Sequence, residues 1–167
     1  FYANSHGLRF EKSTTNHAII YDGDPNDPSQ PYSAPNVATN SAIFPATSAN
    51  VPFPIIFDRD QSHVGVWIGN GEGGDGLTAR LTAYNREGNA LCDVRLFPVP
   101  VSHTTFLGLT DAYGRIARIQ LDYGPAANSE SIDNLIFGPF APANNIRVCQ
   151  QIQTACVPAT NVEVNIL

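Results

Sequence analysis

The chain has 167 residues, 43% of them hydrophobic and 14% charged, with a formal net charge of −6. That is enough for one domain with a real core, and the negative balance argues against a nucleic-acid backbone or an anionic membrane as partner. No apolar run reaches the roughly 18 residues of a membrane span, and thirteen Gly and thirteen Pro without period exclude a collagen-like or disordered chain.

Residues 8–10 open with a short apolar run around Leu8 and Phe10, and residues 17–21 form a β-prone run ending at Asp22-Gly23. From there to Pro52 the chain is rich in Pro, Asn, Ser, Asp and Ala and is expected to be a long loop. Apolar runs follow at 53–57 and 64–68, with Asp58-Arg59-Asp60-Gln61-Ser62 as the expected turn between them. Residues 70–76 hold four Gly in seven positions, which demands unusual backbone angles or supplies mobility.

The clearest pattern comes next. Leu77, Ala79, Leu81 and Ala83 alternate with Thr78, Arg80, Thr82 and Tyr84, and after Asn85-Arg86-Glu87-Gly88-Asn89 the residues Cys92, Val94 and Leu96 alternate with Asp93 and Arg95. A period of two is a strand with one face buried, and two such runs around a Gly-containing turn predict an antiparallel hairpin. Residues 104–109, a turn at 111–114, and a strand at 115–123 follow, with Ala117, Ile119 and Leu121 on one face and Arg118, Gln120 and Asp122 on the other. The run Ile132-Asp133-Asn134-Leu135-Ile136-Phe137 is the last strongly apolar strand, and Val162, Val164 and Ile166 alternate near the end. No window holds a capped helical period. The pattern predicts an all-β fold, a jelly-roll β-sandwich of two antiparallel sheets, with an immunoglobulin-like sandwich as the alternative.

The segments SAPNVATN, PFPIIFDRDQSHVGVWIGN, LTARLTAYNREGNAL, TTFLGLTDAYGRIARIQL and IDNLIF follow one another in order. Together they resemble the extracellular jelly-roll domains of bacterial surface and exported proteins, including those with PEP-CTERM sorting tails. They are also similar in outline to galactose-binding-like and carbohydrate-binding modules that close on an IDxLxF strand. The resemblance covers residues 8–138; its motifs are core patterns, which speak to fold more than to activity. The expected division is a sandwich over 1–140 and a linker with a strand-like extension over 141–167, packing on the same sandwich or on a neighbouring subunit.

Several residues are candidates for chemistry. By alternation Asp133 shares a face with Leu135 and Phe137, and a carboxylate facing a core needs a cation or donors. In the resembled modules the acid of the closing strand joins a structural Ca²⁺ with an early acid, which here is Glu11; the alternative is an acid capping a turn or pairing with Arg. Asp22, Asp24 and Asp27 make an oxygen-rich loop of a kind that suits a hard cation, or a solvated turn. Asn70, Glu72 and Asp75 offer a second loop of that kind. Trp67, on the opposite face from Val66 and Ile68, could stack on a sugar with help from Tyr84, Tyr32 and Tyr113, or close the sandwich beneath a loop. Cys149 and Cys156 are close enough in sequence to bridge a small loop, which leaves Cys92 as a buried free thiol.

His6, His17, His63 and His103 form no ligand spacing, Asp58 and Asp60 carry nothing that separates a proton donor from a nucleophile, and no nucleophile or phosphate-loop motif occurs. The sequence therefore predicts a non-enzymatic, secreted module that binds carbohydrate or a cell-surface polymer. Low Lys, abundant Asn, Thr, Ser and Gly, and the absence of Met, as in a processed or partial chain, are the traits behind export. The alternative is a structural subunit of an extracellular filament, surface layer or adhesin, self-associating through its terminal strands.

Overall fold

The computed structural model describes residues 7–10, 19–22, 36–40, 52–69, 76–124, 130–139 and 157–158. These form eleven strands and no helix: β1 (Leu8–Phe10), β2 (Ile19–Asp22), β3 (Asn36–Thr39), β4 (Phe53–Gln61), β5 (His63–Gly69), β6 (Ala79–Tyr84), β7 (Ala90–Leu96), β8 (Thr105–Thr110), β9 (Ile116–Asp122), β10 (Ser131–Gly138) and β11 (Val157–Pro158). One sheet has the order β1-β4-β9-β6-β7 and the other β11-β8-β5-β10-β3-β2. Every pairing is antiparallel.

From β3 to β10 the chain alternates between the sheets, except where β6 and β7 stay together as a hairpin. The resulting halves, β3-β10-β5-β8 and β4-β9-β6-β7, have the strand order of a jelly roll, not of an immunoglobulin sandwich. β1, β2 and β11 extend three of the edges, and β11 pairs with β8 of its own chain.

The alternation read from the sequence puts the core between the sheets. Phe53, Ile55 and Phe57 of β4, Ala79, Leu81 and Ala83 of β6, and Ile119 and Leu121 of β9 meet Val64, Val66 and Ile68 of β5, Leu107 and Leu109 of β8, and Ile132 of β10. Cys92, Val94 and Leu96 pack on this core from the edge strand β7.

Three local features differ from expectation. The expected turn at 58–62 is mostly strand: β4 runs to Gln61 and β5 starts at His63, so the chain changes sheet at the single residue Ser62. Ser62 N–H donates to Gly138 O at 2.8 Å, its carbonyl accepts from Asp111 N–H at 2.8 Å, and its hydroxyl donates to Gly138 O at 3.1 Å. With its backbone groups satisfied, the corner needs no longer turn. The second difference is β3, which lies inside the stretch expected to be loop. Four residues, Asn-Val-Ala-Thr, are too few for a period to register.

The third concerns Asp133. The register on β5 shifts between Asp133 and Ile136, and Asn134 has φ of 43°. This bulge inserts one residue, so parity reverses across it. Asp133 stands opposite Trp67, whereas Ile132 and Phe137 stand opposite the core residues Ile68 and Val64. Asp133 therefore lies on the outer side of its sheet, away from the face of Leu135 and Phe137, although it is buried there.

The β8–β9 turn is held by Asp111, which accepts from Arg115 N at 2.8 Å, Nε at 3.0 Å and Nη2 at 2.8 Å. The Arg115 hydrogen bonds, chiefly that of its side chain, hold the Asp111 carboxyl below its ordinary range. A depressed folded-state value stabilises the fold above the ordinary aspartate range, and that stability is lost as pH falls through it. Asp111→Ala is expected to cost about 2 kcal/mol at neutral pH, read from the urea unfolding midpoint. The cost should shrink as pH falls below the ordinary aspartate range and the wild-type carboxyl takes up a proton.

A candidate binding face on the five-stranded sheet

The outer face of the β1-β4-β9-β6-β7 sheet is a grid set by register. Across one row stand Arg95, Arg80 and Asp122; across the next, Asp93, Thr82, Gln120 and Pro54; across the third, Tyr84, Arg118 and Ile56, with Arg9 beyond. These residues face outward because their neighbours in sequence, Ala79, Leu81, Ala83, Ile119 and Leu121, are held in the core. The Arg118 guanidinium lies 4.2 Å from the centroid of the Tyr84 ring. Arg80 Nε and Arg95 Nε both donate to Asp93 Oδ2, each at 3.1 Å. Those contacts, with Arg95 the leading one, hold the Asp93 carboxyl below its ordinary range. The face is thus a row-wise mix of planar donors, carboxylates and one aromatic ring, carried chiefly by the central strands β6 and β9 and the edge strand β7.

Trp67, Tyr84 and Tyr113, nominated from sequence, are not brought together. Trp67 lies on the outer side of the opposite sheet, with Phe106 at 5.6 Å between ring centroids. The space over the neighbouring Gly65 is filled: a Cβ there would come within 2.1 Å of the Phe106 ring. Tyr113 is exposed in the β8–β9 turn with the Arg115 guanidinium 4.6 Å from its ring centroid. Of the three that are described, Tyr84 alone lies on the outer face of the five-stranded sheet; Tyr32 falls outside the described residues.

The expected metal residues fare similarly. Glu11, Asp24, Asp27, Asn70, Glu72 and Asp75 lie outside the described residues, and Asp22 is described only in its backbone, at the end of β2. Asp133 Oδ1 accepts from Asn134 N–H at 2.7 Å. Among the described residues no group of three or more His, Cys, Asp or Glu is placed to hold a metal ion. The acids Asp58 and Asp60 are engaged by cations: Arg9 reaches Asp58 at 3.9 Å, and Arg86 Nε donates to Asp60 at 3.0 Å.

The expectation for Cys92 is corrected. Cys92 is disulfide-bonded rather than free. Cys149 and Cys156, the expected bridge, lie outside the described residues.

Sequence reasoning missed a buried polar network where β5 and β9 end and β10 begins. Tyr123 Oη lies 2.9 Å from Gly69 O and 3.0 Å from Ser131 O. Ser131 Oγ donates to Gly69 O at 2.6 Å and lies 2.8 Å from His103 Nε2. Glu130 accepts from Tyr123 N–H at 3.2 Å and from Asn40 Nδ2, while its own N–H donates to Asn40 Oδ1 at 3.0 Å. A Ser beside a His invites comparison with a nucleophile and its base, but the protons run the wrong way. The Ser131 hydroxyl has one hydrogen, and it is directed to Gly69 O. His103 Nε2 must then donate to Ser131 Oγ, so it has no lone pair with which to activate that oxygen. The network ties strands together.

No protein-family model matches the chain, and no curated protein matches it. Among solved structures it is similar to the tailspike protein 4 enzymatically active domain of bacteriophage CBA120, at 19% identity and a TM-score of 0.41, over 78% of this chain and 19% of that one. The expectation of a non-enzymatic chain is corrected here: the matched structure is described as enzymatically active, so the exclusion of catalysis is withdrawn. At that TM-score the likeness assigns no reaction and no residue. Among the described residues no helix is long and apolar enough to cross a membrane, which leaves membrane β-barrels unaddressed.

Proposed function

We propose that this chain is an exported jelly-roll module that binds carbohydrate across the outer face of its five-stranded sheet. The observation that carries the reading is the stack of Arg118 on Tyr84 beside Gln120 and Thr82, on the two central strands of that sheet. A sugar ring offers an apolar C–H face and a rim of hydroxyls. An aromatic ring takes the first, and planar amides and guanidiniums take the second. These groups need no loop closure to align, because β6 and β9 are paired on both sides. The disulfide at Cys92 supports export, since such bonds persist in oxidising compartments.

The filament reading requires the terminal segment to leave its own sandwich. Residues 162–167 lie outside the described residues, but β11 pairs with β8 of the same chain, and no observation favours exchange.

Affinity electrophoresis against a panel of soluble polysaccharides tests the proposal. At least one is expected to retard the protein. Tyr84→Ala and Arg118→Ala should each weaken that interaction about tenfold, whereas Trp67→Phe, on the other sheet, should leave it unchanged. Failure of every polysaccharide to bind, or loss with Trp67→Phe alone, would overturn it.

A further inference from the structure

The same face carries a charge arrangement that narrows the ligand class. Arg80 and Arg95 stand directly opposite each other on β6 and β7. Like charges in that position repel, so their placement needs an anion. Asp93 supplies one, and both Nε groups converge on its single oxygen Oδ2 at 3.1 Å. One carboxylate cannot neutralise two guanidiniums. Neither terminal Nη group of either arginine donates to a partner among the described residues. Both side chains are about half exposed or more, at 47% and 63%.

With Arg118, the β9-β6-β7 portion of the face holds three guanidiniums against the carboxylates of Asp93 and Asp122, in a chain whose formal net charge is −6. The local excess is positive where the whole is negative. Guanidinium forks match the planar, two-oxygen shape of a carboxylate better than a point charge does. From β7 to β9 the face spans about 10 Å, two strand spacings, which suits a short run of sugar units.

Building on the carbohydrate-binding reading, on which it rests, we propose that the polysaccharide bound here carries carboxylates, as uronic acid units do. A ligand carboxylate sits as the second anion between the outward Nη groups of Arg80 and Arg95. The sugar ring that bears it extends over Gln120, above the buried Thr82, toward Tyr84 and Arg118.

The test compares polygalacturonate with its methyl-esterified form, which keeps the backbone and removes the charge, together with dextran sulfate and neutral dextran. Binding is measured by calorimetry at low and moderate salt. The expected result is polygalacturonate binding about tenfold or more tighter than the ester. Arg80→Gln/Arg95→Gln should abolish that preference, and Arg80→Lys/Arg95→Lys should restore it only in part, because the charge returns without the fork. Unfolding midpoints of the variants, at exposed positions, should stay close to wild type.

Equal affinity for ester and acid would overturn the carboxylate inference and leave carbohydrate binding standing. So would full restoration by Lys, or tighter binding of dextran sulfate than of polygalacturonate. Absence of binding to all four polymers would overturn this inference and count against the reading beneath it.

Discussion

Between about pH 5 and pH 8 the protein is expected to lose about 3 kcal/mol of folding stability through one side chain, Glu130. Its carboxyl is 2% exposed, and burial pushes it up from 4.5 to about 7. The hydrogen bonds from Tyr123 N–H and Asn40 Nδ2 pull the other way, and desolvation outweighs them; the nearby Asp122 carboxylate adds to the upward push. A raised folded-state value means that the native protein holds a proton the unfolded chain has released. The stabilisation is therefore complete below the unfolded value of 4.5 and is lost as pH rises through about 7. Urea unfolding at about pH 5 and pH 8 measures it directly. Glu130→Gln, neutral throughout, should flatten the difference, and identical slopes in the two proteins would refute the assignment. Asp93 and Asp111, both lowered from 3.8, titrate below this window.

Gly69→Ala is the second substitution with a large expected effect. A Cβ at Gly69 would lie 2.7 Å from Ser102 C and 2.8 Å from His103 N, both backbone atoms that cannot swing aside. The same residue's carbonyl faces Tyr123 Oη and accepts from Ser131 Oγ, so any displacement also disturbs buried hydrogen bonds. The cost should be about 3 kcal/mol, or a melting temperature lower by about 10 °C. Gly65→Ala is the useful contrast. The atoms nearest its new methyl all belong to the ring of Phe106, a partly exposed side chain whose shift disturbs only its contact with Trp67, so about 1 kcal/mol is expected. Equal costs at the two positions would show that side-chain give does not separate them.

The fold was legible wherever one face of a strand is buried, because that burial writes a period of two into the sequence. The hairpin at β6 and β7 and the two faces of β9 could be read directly. Ser62 could not, since a corner made by one residue depends on hydrogen bonds to Gly138 and Asp111, far away in sequence. Nor could the bulge at Asn134: one added residue reverses the side on which Asp133 lies, and nothing in the string IDNLIF marks it. The candidate site was half legible. Alternation put Tyr84, Arg118 and Gln120 outward, but their alignment into rows is a matter of register between β6 and β9, distant segments of chain. The Glu130 network left no signal because its members are ordinary polar residues until burial brings them together.

The way the strands alternate between sheets also bears on how the chain reaches this state. Within β3–β10, the hairpin of β6 and β7 is the one place where sequence neighbours pair. Every other ladder there joins segments separated by whole strands, and the entropy of closing those loops is spent before the core repays it. The hairpin is thus the natural seed. β5 can meet β8 soon after, but β9 must arrive before β4 and β6 share a sheet, and β3 waits for β10. A polypeptide still being synthesised would hold β5 without a ladder partner until about residue 110, and would close that same sheet through β10 only at about residue 138, an interval during which unpaired edges are open to other chains.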